Sequence, residues 1–152
     1  MLRGRCRVGE LHTEDCDHMY RYVEAMHELE DASFEELERI FDKVTASLDD
    51  AGIPWYEDLL PPLDTGAAHV MLDNNDGGRG VFVYWRPARS EEASAMAAWK
   101  AGEWDDPSFD QATSLEQQWA RRLSVVLHSA GILNRELKDD MNPYTLEIIS
   151  VA

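Results

Sequence analysis

Cysteine is nearly missing from this chain: Cys6 and Cys16 are the only two among 152 residues. Two thiols cannot build the disulfide framework on which small secreted domains rely, so the fold must rest on an apolar core, and a reducing compartment is expected. No run of 18 apolar residues is present, which excludes a membrane-spanning helix of the usual kind. The opening MLRGRCRVGE lacks the apolar stretch of a secretory signal, so a cytoplasmic protein is expected. Motifs are missing too. There is no G-x-S-x-G elbow and no H-E-x-x-H helix, and the glycines of NNDGGRG lack the lysine and following helix of a phosphate loop. No repeat divides the chain. These gaps weigh against an enzyme without deciding the matter.

Lysine is scarce and acid is abundant. Three lysines and eleven arginines face 30 carboxylates, for a formal charge of −16. The charge is unevenly placed. Residues 1–9 hold three arginines and no acid, residues 10–64 hold 17 acids against three bases, and residues 65–152 hold 13 against eight. A surface of that sign cannot grip DNA or RNA directly, which needs a basic face. It steers basic partners instead, although acidity also serves plain solubility.

What is present is a strong hairpin signal. AHVMLD and VFVYWR flank NNDGGRG, where Asp76-Gly77 suits a tight turn with positive φ. Centred there, the turn pairs Leu72 with Val81, Val70 with Val83 and Ala68 with Trp85, giving one apolar face; a turn at Gly77-Gly78 slides the partners by two and keeps the faces, whereas a three-residue loop mixes them. The opposite face receives His69, Met71, Asp73, Phe82, Tyr84 and Arg86, with His69 across from Tyr84. Its residue types suit a ligand face; a covering helix layer is the plainer expectation.

Helical periodicity surrounds the hairpin. Thr13 can cap a helix to about Glu30. Ser33 and Glu36 form a capping box for a second, whose stripe is Phe34, Leu37, Ile40, Phe41, Val44 and Leu48, ending at Gly52. Residues 53–60 read as a short edge strand or a helical turn. Ser90 can cap a third helix to about Lys100, with Gly102 as its stop. Thr113 and Glu116 box a fourth, reaching Ala130 with Leu115, Trp119, Leu123, Val126, Leu127 and Ala130 inward. Residues 132–142 read as irregular, and 144–151 as a strand with Leu146 and Ile148 on one face and Glu147 on the other.

The expected fold is α+β: a small, mainly antiparallel sheet, built from the hairpin at 67–86 and the strand at 144–151, packed by about four helices. Residues 1–12 read as an irregular leader and 13–152 as a single domain.

Three groups of residues offer chemistry. His12, Cys16 and His18 are metal-type donors, but Zn²⁺ wants four in a tetrahedron, and no second cysteine pair completes this set. No metal and no cofactor is therefore expected. The face of His69, Asp73, Phe82, Tyr84 and Arg86 suits a small enzyme or a ligand-binding domain. The segment holding Trp99, Glu103, Trp104, Asp105, Asp106 and Phe109 places aromatics among acids, the combination that suits a cationic protein surface. The leading expectation is a non-enzymatic, acidic binding module that masks a basic partner, as an immunity-type inhibitor or a DNA-mimicking protein does. The ligand-face reading comes second, and an oligomeric accessory protein using exposed tryptophans third.

Overall fold

The structure, a computed structural model, describes residues 29–57, 64–137 and 143–152. Among them lie three helices, α1 (Phe34–Asp50), α2 (Arg89–Ala101) and α3 (Pro107–Ser129). Five strands, β1 (Trp55–Tyr56), β2 (Ala67–Asp73), β3 (Gly80–Arg86), β4 (Ile132–Glu136) and β5 (Leu146–Val151), form one sheet in the order β1-β2-β3-β5-β4. The fold is α+β, as the periodicities imply. The sheet is mixed rather than purely antiparallel, because β1 runs parallel to β2 while the other three pairings are antiparallel. The helix expected from Thr13 to Glu30 falls almost wholly outside the described residues, so three helices stand where about four were expected.

The hairpin keeps the expected register: Leu72 faces Val81, Val70 faces Val83, His69 faces Tyr84 and Ala68 faces Trp85. Its connection differs. The ladder stops at Asp73 and Gly80, leaving a six-residue loop instead of a two-residue turn. Asp73 explains the change, since its carboxylate accepts from the N–H of Asn75 (2.8 Å) and folds the chain back early. Gly77 supplies the positive φ of 84°. A longer loop centred on the same point leaves both face sets unchanged.

The face of Ala68, Val70, Val81, Val83 and Trp85 is buried with Leu37, Ile40, Val44 and Leu48 of α1 and Leu123 and Leu127 of α3. Ser33 starts α1 by accepting from the N–H of Glu36 (3.1 Å), which spaces the apolar stripe onto the sheet. Phe34, expected in that stripe, remains exposed at its first turn. The outward residues Glu35, Glu36, Glu38, Asp42, Asp49 and Asp50 are all exposed, so α1 presents a carboxylate surface.

Two helices start at other residues than expected. Ala88 is the N-cap of α2, and the Glu91 carboxylate accepts from its N–H (3.1 Å), which makes Ser90 a first-turn residue. Asp106 caps α3 by accepting from the N–H of Ser108 (2.9 Å), with Pro107 at the first position where a missing N–H costs nothing. The box at Thr113 and Glu116 therefore lies inside a helix already under way. The Trp85 indole stacks on Trp119 of α3 at 3.6 Å and 5°, and Arg122 lies over the Trp119 ring at 4.6 Å.

The stretch expected to be irregular after Ile132 begins with β4. A register shift at Leu133/Asn134 breaks its alternation. Asn134 is buried, and its side chain is tied by Ser124 Oγ (2.8 Å to Oδ1) and the Ile132 carbonyl (3.1 Å from Nδ2). A buried, bonded asparagine costs little. The C-terminal strand starts at Leu146, two residues later than expected, because Tyr144 sits at φ 65°.

Candidate functional site

Three regions bear on function, and each is built by the local chemistry above. The first is the corner where α2 meets α3. Gly102 ends α2 in the left-handed region (φ 69°), so that its N–H reaches the Trp99 carbonyl (3.1 Å) and the Glu103 N–H reaches that of Ala98 (3.0 Å). This reversal folds Trp104 back onto Trp99. The two indoles meet edge to face at 5.0 Å and 86°. They nevertheless stay in solvent, 59% and 64% exposed, and Met96 one turn earlier is 51% exposed. Singly exposed apolar side chains are ordinary on a protein surface; two contacting indoles left in solvent are less so.

Glu103 and Asp105 are exposed beside the indoles, as expected of that segment. Two of its expected contact residues are partly committed elsewhere. Asp106 holds the start of α3, where the Ser108 hydroxyl and N–H keep its carboxyl below the usual carboxylate range. Phe109 is half-buried. Lys100 is the one base among residues 99–110, against four acids.

The second region is a groove of about 1120 Å³ along the β2 side of the sheet. Phe34, Glu38, Phe41 and Asp42 of α1 line it, together with His69, Met71, Asp73, Phe82 and Tyr84. The described helices pack on the other face, so the helix layer expected over His69 is not supplied by them. His69 is buried all the same. Its ring stacks on Tyr56 at 4.5 Å and meets Tyr84 edge-on at 4.9 Å, with Nε2 3.3 Å from the Glu57 carbonyl. Burial pushes Tyr56 up to about 12, with Tyr84 adding to the rise, Arg86 opposing it and Glu92 contributing least. Tyr56 thus backs the His69 ring as a neutral phenol, and sequence reasoning missed it because β1 has only two residues.

The third region is a smaller cavity of about 220 Å³ at the C-terminal end of β3. Tyr84, Trp85 and Arg86 line it with Glu92 of α2, Glu116 of α3 and Tyr144. Arg86, assigned from the sequence to the same face as His69, therefore serves this corner. Glu116 is half-buried; its carboxyl is held above the usual range, first by burial, then by Glu92, with Arg86 opposing. A carboxyl raised in the folded state adds stability that is complete below the unfolded value and is lost as pH rises through the folded one. Glu116→Gln is expected to gain thermal stability over the parent progressively from about pH 4 upward. Melting curves of both proteins across that range check it; parallel curves would contradict it.

His12, Cys16 and His18 lie outside the described residues. Among the described residues, no group of three or more His, Cys, Asp or Glu side chains is placed to hold a metal ion. No described helix is long and apolar enough to cross a membrane. Comparison with protein-family models, curated proteins and solved structures returns no match to this chain.

Proposed function

We propose that this chain is a non-enzymatic binding protein that masks a basic partner through the acidic corner between α2 and α3. The observation that carries the reading is the exposed indole pair. Trp99 and Trp104 hold each other in place, so their apolar surface is presented with little freedom left to lose on binding. Tryptophan is the residue most enriched among interface hot spots. The net charge of −16 and the carboxylates of Glu103 and Asp105 select a positive target and speed its approach. An inhibitor of a nucleic-acid-directed protein fits that profile, since such a target exposes the basic surface that this one complements.

Charge reversal supplies the test. Glu103→Lys with Asp105→Lys is expected to weaken partner binding by about 10–100-fold at low salt, with a smaller loss once salt screens the surface. Asp106 is left in place because it caps α3. Isothermal titration against the partner recovered from native extract reads the effect; equal affinity at low salt would end the proposal.

A second reading rests on the 1120 Å³ groove, whose aromatic and acidic walls suit an apolar cation. Saturable uptake of a lipophilic cationic dye, abolished by Phe82→Asp, is its expected signature.

A further inference from the structure

We infer that the 220 Å³ cavity at the end of β3 is a binding site for a free α-amino acid with a small side chain. The inference is independent of the docking surface. Three charged side chains line the cavity, the Arg86 guanidinium and the Glu92 and Glu116 carboxylates, each brought by a different element. None of the three makes a side-chain hydrogen bond or ion pair among the described residues. A half-buried carboxylate without a donor is costly, and the exposed Arg86 guanidinium keeps its fork of five donors open to an incoming group. Side chains that could pair, yet are held apart around a space, are arranged for something that enters it.

The charges say what that is. An α-amino acid carries an ammonium and a carboxylate on one carbon. Its ammonium answers Glu92 and Glu116 beside Tyr84 and Tyr144, aromatic residues of the kind that also attract a cation. Its carboxylate answers the planar fork of Arg86. An amine alone leaves Arg86 unanswered, and an acid alone leaves both carboxylates so. The volume lies below the roughly 300–1,000 Å³ that drug-sized ligands occupy, which limits the side chain.

Two further observations belong to the same place. Trp85, only 7% exposed, lines the cavity, and its indole N–H has no acceptor among the described residues. Tyr144 holds a left-handed backbone (φ 65°) without being glycine, a strained geometry of the kind that collects at ligand sites. Burial and then Glu92 hold the Glu116 carboxyl above the usual carboxylate range, and a bound ammonium would relieve that rise.

The test uses the intact ¹⁵N-labelled chain, with the Trp85 indole N–H resonance as reporter. Glycine and L-alanine, added to about 50 mM at constant ionic strength, are expected to shift it saturably, with a Kd in the millimolar range or tighter. Methylamine and acetate, each holding half of the pairing, are expected to bind at least about 10-fold more weakly. Arg86→Gln and Glu116→Gln should each cost a similar factor. The absence of any saturable shift with the parent protein would overturn the inference, whatever the variants do. Methylamine binding as tightly as glycine, unaffected by Arg86→Gln, would overturn it in favour of a simple cation site. Loss of this site would leave the charge-reversal result at Glu103 and Asp105 unchanged, so the two ideas fail separately.

Discussion

Alanine at both Trp99 and Trp104 is expected to weaken binding of the basic partner about 100-fold while leaving the fold intact. The size follows from hot-spot energetics: an anchoring indole is commonly worth 2 kcal/mol or more, and two neighbours are less than additive, so about 3 kcal/mol is a fair joint figure. Stability should hardly respond. Both rings are more than half exposed, and what folding loses is their edge-to-face contact, about 0.5–1.5 kcal/mol. That separation makes the experiment informative. Calorimetric titration and a melting curve on the same sample read both quantities. Affinity unchanged with both indoles gone would remove the corner from the interface; a collapse in melting temperature would show that the rings serve the core instead.

The largest effect on stability is expected at Leu123. Its side chain is fully buried in the cluster that joins α3 to α1 and to the sheet. Leu123→Ala removes three carbons from a site walled on several sides, where collapse around the gap is limited. A loss of about 3–5 kcal/mol follows, which for a chain of this length lowers the melting temperature by roughly 10 °C. Val125, two residues along the same helix and 65% exposed, is the control: Val125→Ala should change stability by less than about 0.5 kcal/mol. Urea denaturation of the two variants separates them. Equal, small effects would mean that α3 does not hold the sheet.

How much of this was legible beforehand depended on the reach of the signal. The hairpin faces were readable because two alternating runs flank a glycine turn; of the two turn centres the glycines allow, the structure takes the register of the Asp76-Gly77 one, even though Asp73 lengthens the loop. The stripe of α1 was readable from its spacing and its Ser33 cap. β4 was not, since a bulge and a buried Asn134 disguise its alternation, and the bond from Ser124 that satisfies Asn134 comes from ten residues away. The start of α3 was misjudged because Thr113 and Glu116 look like a capping box, whereas Asp106, followed by Pro107, supplies the cap seven residues earlier.

The sites divide in the same way. Trp99 and Trp104 were identifiable by composition, but their exposure depends on the left-handed turn at Gly102. Asp106 and Phe109 looked like contact residues because no local pattern announces that one caps α3 and the other is half-buried. The grouping of Arg86 with Glu92 and Glu116 was invisible. Three elements supply those residues, and only the α2–α3 packing brings the two carboxylates to the end of β3.

The claim that the acidic indole corner meets a positively charged protein can be tested by placing a photo-crosslinking benzophenone residue at Met96, beside the indoles, and in a second sample at Val125. Irradiation in native extract at low salt should give a defined adduct from position 96 alone, containing a strongly basic polypeptide. That adduct should be lost when Glu103 and Asp105 are reversed to lysine. Adducts of equal yield from both positions, or an acidic polypeptide captured at position 96, would contradict it.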